Sequence, residues 1–538
     1  MNKKQNPNIE NSELINALVS GFHYVITKQD YLNQINIFPV ADGDTGTNLS
    51  LTIASALEVI KTNDKKNLQK LLKLISEALL DNARGNSGAI FAQFFQGLSD
   101  HSKEYSQFTV HSLSRAFNQG YQYAYEALTT PREGTILSVI HTFADSVAKL
   151  VSENPNTEFE EIINIAQLDV DKALLNTTQQ LSILKKAGLV DSGAQGFVFL
   201  IKGMSYYLKN KEIKSLPNTP FINAIRKQEN IYASNHQSQF RYCTECFINS
   251  NEINRKKLKE ALVDHGDSMV LAGSKHKVKV HIHTNYPDKV FTVAKKFGEV
   301  SGKKADDMFI QQNTVTNKSK KFAVITDTGA DISDEDIERL NIHMVPCRIQ
   351  FGNEDYLDKV SISSKEFYLK IKGNKNYPTT SRPSPGDFLR QFQFLTSHYE
   401  KVLSINLSSH ASGTYEGAKL AARRNKLSEN IYVIDSLNAS MGQGQLTVLA
   451  AECATAGLSI DKTLQIIKKK IPKIKTFIML QDLTYAVNGG RLPKWVKFIA
   501  NIFQLTPIMC IKKNGKIGIA ACFFGRRNQI RKYAKFIS

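Results

Sequence analysis

Two periods of apolar residues divide this chain. In the first two hundred residues apolar side chains recur three and four apart, as in Leu14, Leu18, Phe22 and Val25, and again in Leu68, Leu71, Leu72, Ile75 and Leu79. That spacing puts them on one stripe of a helix, so an all-α first part is expected. Farther on, the segment Lys277–Thr284 alternates polar and apolar residues, the period of a half-buried strand. Past residue 320 the apolar runs Phe322-Ala323-Val324-Ile325, Val402-Leu403-Ser404-Ile405-Asn406 and Ile431-Tyr432-Val433-Ile434-Asp435-Ser436 alternate with helical patterns. This predicts a mostly parallel sheet of α/β type. Polar stretches at 209–220 and 311–321 lack periodicity and mark the breaks. The expectation is a multidomain chain: an all-α part at 1–212, a small α+β part at 213–317 and an α/β part at 318–538.

Composition changes this picture little. A chain of 538 residues is too long for one core, and 42% apolar with 22% charged residues is ordinary for globular domains. No stretch reaches the roughly 18 uninterrupted apolar residues of a spanning helix, and the first residues lack the apolar centre of a signal peptide. A cytoplasmic protein is expected. Six cysteines are too sparse for a disulfide framework. The net charge of +19 comes without a basic motif interleaved with aromatics, so nucleic acid is not an expected partner. The lysine-rich run 468–475 would suit a peripheral contact with anionic lipid headgroups, or simply end a solvated helix.

The densest chemistry lies in Asp42-Gly43-Asp44-Thr45-Gly46-Thr47-Asn48. Two carboxylates two residues apart in a glycine-punctuated turn offer the hard oxygen ligands of Mg²⁺, and also the composition of an ordinary turn. Preceded by Asn36-Ile37-Phe38-Pro39-Val40-Ala41, the loop resembles the signature of the ATP-binding component of bacterial fatty acid kinase, a relative of the DhaL-type domain of dihydroxyacetone kinases. Ala41 stands where that family usually has proline. Three later stretches resemble the family in the same order: Ala83-Arg84-Gly85-Asn86-Ser87-Gly88, Glu133-Gly134-Thr135-Ile136-Leu137 and Val190-Asp191-Ser192-Gly193-Ala194-Gln195-Gly196. Glycine, Asn and Ser at a helix start expose amides that receive phosphate, or form a plain cap. The resemblance implies a DhaL-type helical barrel in which Asp42 and Asp44 are catalytic and hold Mg²⁺. It implies further a cofactor site in which Asn36 takes a third metal-facing position, Thr45 and Asn48 lie near the ATP phosphates, and Ser87, Gly88, Thr135 and Asp191 contact the nucleotide.

In the middle part, His281 and His283 lie two apart on the expected strand and so share a face, while Cys243 and Cys246 lie about forty residues earlier. Cys and His together suit Zn²⁺, although a strand pair of histidines is also common without metal. The elements Tyr242-Cys243-Thr244-Glu245 and Val278-Lys279-Val280-His281-Ile282-His283-Thr284 resemble the middle region of fatty acid kinase. There one Cys and two His hold a structural zinc, which implies Cys243, His281 and His283 here, with Cys246 a fourth ligand or a bystander.

The last part resembles a second family, the DegV proteins that bind a fatty acid, in Thr380-Ser381-Arg382-Pro383-Ser384-Pro385-Gly386, Leu407-Ser408-Ser409-His410-Ala411-Ser412-Gly413-Thr414-Tyr415, Ile434-Asp435-Ser436 and Gly489-Gly490-Arg491-Leu492. Ser409, Ser412 and the Gly413 and Thr414 amides stand at a loop-to-helix junction, which suits a carboxylate or a helix cap. The resemblance implies carboxylate contacts at Thr380, Ser381, Ser409, Ser412, Gly413 and Thr414, and a docking arginine at Arg526 or Arg527. It also implies that the DegV-type part is incomplete at its C-terminus.

Together the resemblances imply a fatty acid kinase fused to its carrier, moving the γ-phosphate of ATP to a long-chain fatty acid and yielding an acyl phosphate for phospholipid synthesis. A separate DegV-type carrier and a downstream acyltransferase are the implied partners, and a homo-oligomer is expected. The alternatives are a lipid carrier or sensor with an inactive or regulatory kinase domain, and a dihydroxyacetone-type glycerone kinase.

Overall fold

The computed structural model describes residues 8–39, 43–213, 239–316, 320–373, 376–425, 427–480, 482–490, 492–525 and 527–538. By internal contacts it separates into two compact units, residues 1–312 and 313–538.

The first unit opens with helices α1 (Asn11–Thr27), α2 (Gln29–Gln34), α3 (Thr45–Thr62), α4 (Leu68–Asn82), α5 (Gly85–Ser102), α6 (Val110–Glu126), α7 (Ile136–Glu153), α8 (Phe159–Gln180), α9 (Ser182–Ala187) and α10 (Ser192–Asn210). The stripes read from the sequence face inward: Leu14, Leu18, Phe22 and Val25 of α1 and Leu68, Leu71, Leu72, Ile75 and Leu79 of α4 are all buried. Aromatic rings fill the centre, with Phe22 against Phe95 at 5.4 Å and Phe117 against Phe143 at 4.9 Å between centroids. The break predicted at 209–220 begins where α10 ends, and from residue 214 it lies outside the described residues.

Next come β1 (Tyr242–Asn249), α11 (Arg255–Leu262), β2 (Asp267–Gly273), β3 (Lys277–Thr284), α12 (Pro287–Ala294) and β4 (Glu299–Asp307). The strands form an antiparallel sheet in the order β2-β3-β1-β4. This sheet joins the helices directly. Leu271 N–H donates to Ala127 at 2.8 Å, Thr129 N–H donates to Met269 at 3.2 Å, and Val270 and Ala272 enter the helical core. Here β3 departs from expectation. Its alternation predicts a half-buried strand, yet every residue from Val278 to Thr284 is buried. Alternation reveals that one face is polar; it does not reveal whether that face meets water, and in β3 it meets the end of α4.

The stretch 311–321 is expected to be a break, but α13 (Met308–Thr316) runs into it. Its sequence has no apolar stripe. Tertiary contacts hold it instead: Met308 and Ile310 are buried, and Thr314 hydrogen-bonds His343 at 2.9 Å and Asn341 at 2.8 Å.

The second unit is three-layered. A parallel sheet takes the order β11 (Ile431–Asp435), β10 (Lys401–Asn406), β5 (Phe322–Asp327), β6 (His343–Val345). Helices α16 (Pro385–His398) and α17 (Thr414–Arg424) cover one face through Phe388, Phe392 and Ala418. The other face is covered by α18 (Ser440–Thr455) and α19 (Ile460–Lys470) through Leu446, Ala450 and Ile467. The expected parallel strands are all present. Between β5 and α16 lie α14 (Asp334–Arg339), α15 (Ser364–Gly373) and an antiparallel sheet of β7 (Arg348–Phe351), β8 (Glu354–Leu357) and β9 (Thr379–Ser381). The remainder comprises α20 (Thr484–Asn488), α21 (Lys494–Ile502), α22 (Gln529–Ile537) and an antiparallel sheet of β12 (Phe477–Met479), β13 (Leu505–Ile511) and β14 (Ile517–Phe524). No described helix is long and apolar enough to cross a membrane.

Candidate functional site

The four motif stretches of the helical part each sit at the start of a helix. Asp44 is the residue before α3, Arg84 before α5, Thr135 before α7 and Asp191 before α10. These helix starts converge. A Cβ placed on Gly85 would stand 3.0 Å from Asn48 Nδ2, and one on Gly193 would stand 2.8 Å from Ser87 Oγ and 3.4 Å from Ile136 Cβ. Gly85 also takes φ +59, which favours glycine. The Asp191 carboxylate reaches across, accepting from Ala194 N–H at 2.8 Å and from the Gly193 and Ile136 amides. Burial pushes its carboxyl up to about 6, against the pull of those amides. Arg132, just before the third stretch, lies 6.0 Å from the Phe38 ring of the first.

The first loop is braced from behind. Asn36 Oδ1 accepts from Thr45 N–H at 2.8 Å, and Asn33 Oδ1 accepts from Thr47 N–H at 3.0 Å, so two asparagines satisfy the opening amides of α3. Asp44 and Asn48 are half-buried at this end; Asp42 lies outside the described residues. No described side chain caps α5, whose first turn carries Asn86, the half-buried Ser87 and the buried Gly88. Asn86 Oδ1 is buried without a hydrogen-bond partner among the described residues. Converging helix starts concentrate unsatisfied amides and positive dipole ends, the setting for a polyphosphate. Asn33 and Thr52 belong to the site without any signal in the sequence motifs. Thr52 Oγ1 donates to Asn48 at 2.7 Å and accepts from Arg84 N–H at 3.3 Å, linking the first two stretches from an unremarkable helical position.

On the sheet, Cys243, His281 and His283 bring their ligand atoms within 4.8 Å of one another. Cys243 pairs with His283 in register, and its Sγ lies 3.8 Å from His281 Nδ1. His281 Nε2 is buried without a partner among the described residues. Burial, then the neighbouring His281, pushes His283 down to about 3, so it stands neutral in the form that ligates metal. A thiol and two imidazoles at this separation fit Zn²⁺. Cys246 faces the other way. It pairs with Val280 on the opposite side of the sheet and is not part of that cluster; burial pushes its thiol up to about 12.

In the second unit the loop after β10 leads into α17. Ser412 Oγ and Thr414 Oγ1 share a hydrogen bond of 2.8 Å, while Ser409 N–H donates to Asp435 at 3.3 Å. Thr380 and Ser381 lie exposed on β9, and the adjacent Arg382 donates to the Gly413 carbonyl at 2.7 Å, tying the two stretches together. A cleft of about 460 Å³ is lined by His410 and Ala411 of this loop with Gly489, Gly490, Lys516 and Ile517, and not by the six expected carboxylate contacts. His410 lies within one of the motif stretches, whereas Lys516 lies outside all of them. Arg527 is exposed, and Arg526 lies outside the described residues.

Known families match this division. A DAK2 domain matches residues 39–206, a middle domain of the fatty-acid-kinase-like type matches 239–315, and the uncharacterised DegV family matches 321–538. Three domain families share this one chain. Uncharacterized proteins of Staphylococcus aureus strains RF122 and MRSA252 are 31% identical to it over 322 and 321 residues, 57% of each chain. The chain thus spans little more than half the length of the curated relatives it matches. DegV, a fatty acid binding protein from Bacillus subtilis, is similar at 30% identity with a TM-score of 0.37, covering 41% of this chain and 77% of that one. A fatty-acid-binding DegV family protein from Thermus thermophilus is 26% identical with a TM-score of 0.37, covering 40% of this chain and 76% of that one. The DAK2 and middle domains mark the first unit as kinase-like, which implies nucleotide binding.

Proposed function

We propose that this chain is a fatty acid kinase whose DAK2 domain transfers the γ-phosphoryl group of ATP to the carboxylate of a long-chain fatty acid held by its own DegV domain. The observation that carries this reading is the convergence of the starts of α3, α5, α7 and α10, with Asn48, Ser87, Thr135 and Asp191 at one place. A fatty acid carboxyl has a pKa of about 4 to 5, so the acceptor is already an anion and needs no general base. The protein's task is then to position the phosphates and neutralise their charge. Amides of the first turn of α5 hold phosphoryl oxygens, and Thr45 and Asn48 flank them. Asp44, with Asp42, would hold Mg²⁺, and the unpartnered Asn86 oxygen adds a hard donor suited to its shell. When bound, the metal neutralises charge on the phosphates. Cys243, His281 and His283 would hold a structural zinc. In the DegV domain, Ser412, Thr414 and the Gly413 amide, with Thr380, Ser381 and Ser409, bind the fatty acid carboxylate.

The purified chain, given ATP, Mg²⁺ and a long-chain fatty acid, should yield acyl phosphate, trapped by hydroxylamine as the hydroxamate. Asp42→Ala and Asp44→Ala should each abolish it. Product only after adding a separate DegV carrier would confine the attached DegV domain to another role. No product with either would favour a lipid carrier or sensor.

A further inference from the structure

The polar face of β3 presents Lys277, Lys279, His281 and His283 at alternate positions. The two histidines belong to the metal cluster. Lys279 does not, yet its side chain is only 2% exposed. Its ammonium donates to the Ala83 carbonyl and lies 3.1 Å from Glu245 Oε2. Glu245 stands opposite His281 in register, with Oε1 3.2 Å from His281 Nδ1. Burial alone would raise the Glu245 carboxyl, but Lys279, His281 and Lys304 together hold it well below the usual range.

Such a pair adds little net stability, because desolvating two charges offsets most of their attraction. Its effect is geometric. Ala83 ends α4 and is fully buried, so water cannot satisfy its carbonyl. The next residues turn the chain into α5: Arg84 N–H is fixed by Thr52, and Gly88 N–H by the Arg84 carbonyl at 3.1 Å. The peptide that Lys279 grips is therefore the hinge point of the turn presenting the first amides of α5.

We propose that Lys279, held by Glu245, is a positioning residue of the nucleotide site: from the middle domain it fixes the Ala83 peptide and so aims the 84–88 turn at phosphate. This rests on the kinase reading above, and it makes the middle domain part of the nucleotide site.

The test uses the full chain with three changes. Lys279→Met keeps the aliphatic stem and removes the donor. Because that strands the Glu245 charge, a second variant pairs Lys279→Met with Glu245→Gln, whose amide oxygen still faces His281. Lys277→Met is the control; it breaks the ion pair between Lys277 and Asp81 on the same face of β3. Measured are amide hydrogen exchange of residues 84–88 without ligand, affinity for a fluorescent ATP analogue, zinc content and melting temperature. Both Lys279 variants should exchange faster at 84–88 and bind the analogue about tenfold more weakly or worse, the worth of one charge-assisted hydrogen bond, while Lys277→Met matches the parent. A folded, zinc-containing double variant with the parent's protection and affinity would overturn the proposal. A parent that binds no nucleotide would sink the kinase reading, and the exchange data would still decide whether Lys279 holds the turn.

Discussion

Asp191 is fully inside the helical part, and its carboxyl is raised by burial from the ordinary 3.8 to about 6. The folded chain therefore holds this proton more tightly than the unfolded chain does. Stability falls as pH rises from about 4 to about 6, and the whole loss, at most about 3 kcal/mol, is present above that window. Asp191→Asn keeps an oxygen for the Ala194 amide and removes the titration. Relative to the parent, the variant should be more stable near pH 7 than near pH 4 in urea unfolding; an equal difference at both would disprove the assignment. Cys243 gives a second expectation at this scale. On the structural zinc proposed above, losing one of three ligands should release the metal, so Cys243→Ser should purify with little zinc and melt at a lower temperature, and a strong chelator should reproduce that shift in the parent.

At the scale of elements, the site depends on how closely α5 and α10 begin. Gly193→Ala would place a methyl 2.8 Å from Ser87 Oγ, so Ser87 or the start of α10 must move. Overpacking of this kind costs about 1–3 kcal/mol, and the variant should lose ATP affinity by calorimetry while keeping its helical circular dichroism. Much of this level is legible in the sequence. The helical stripes of α1 and α4, the parallel strands β5, β10 and β11 and the shared face of His281 and His283 follow from periods of 3.6 and 2, which report local geometry directly. Burial of the polar face of β3 is not legible, since whether Lys279 meets water depends on α4, nearly two hundred residues away. Helix α13 escapes a sequence reading for the same reason: Thr314 is held by Asn341 and His343 rather than by a stripe of its own. Glycine and aspartate mark the loops of the candidate site well. Asn33 and Thr52, which brace those loops, look like any polar residue on a helix.

For the whole molecule, one chain carrying DAK2, middle and DegV domains changes how transfer should scale. A tethered acceptor is present at an effective concentration on the order of millimolar whatever the bulk dilution. Acyl phosphate formed per chain, followed by the hydroxamate, should stay constant as the protein is diluted at saturating ATP and fatty acid. A per-chain rate falling with dilution would point to transfer between molecules. The starts of α3, α5, α7 and α10 have a consequence of another kind. Each carries about half a positive charge, offset in part where Asp44 and Asp191 stand before α3 and α10. A phosphate bound among these ends would add to the stability of the fold. Local opening is then most frequent in the empty state, where proteases find their substrates. Resistance of this protein to proteolysis would therefore rise with the concentration of the phosphate compound it binds.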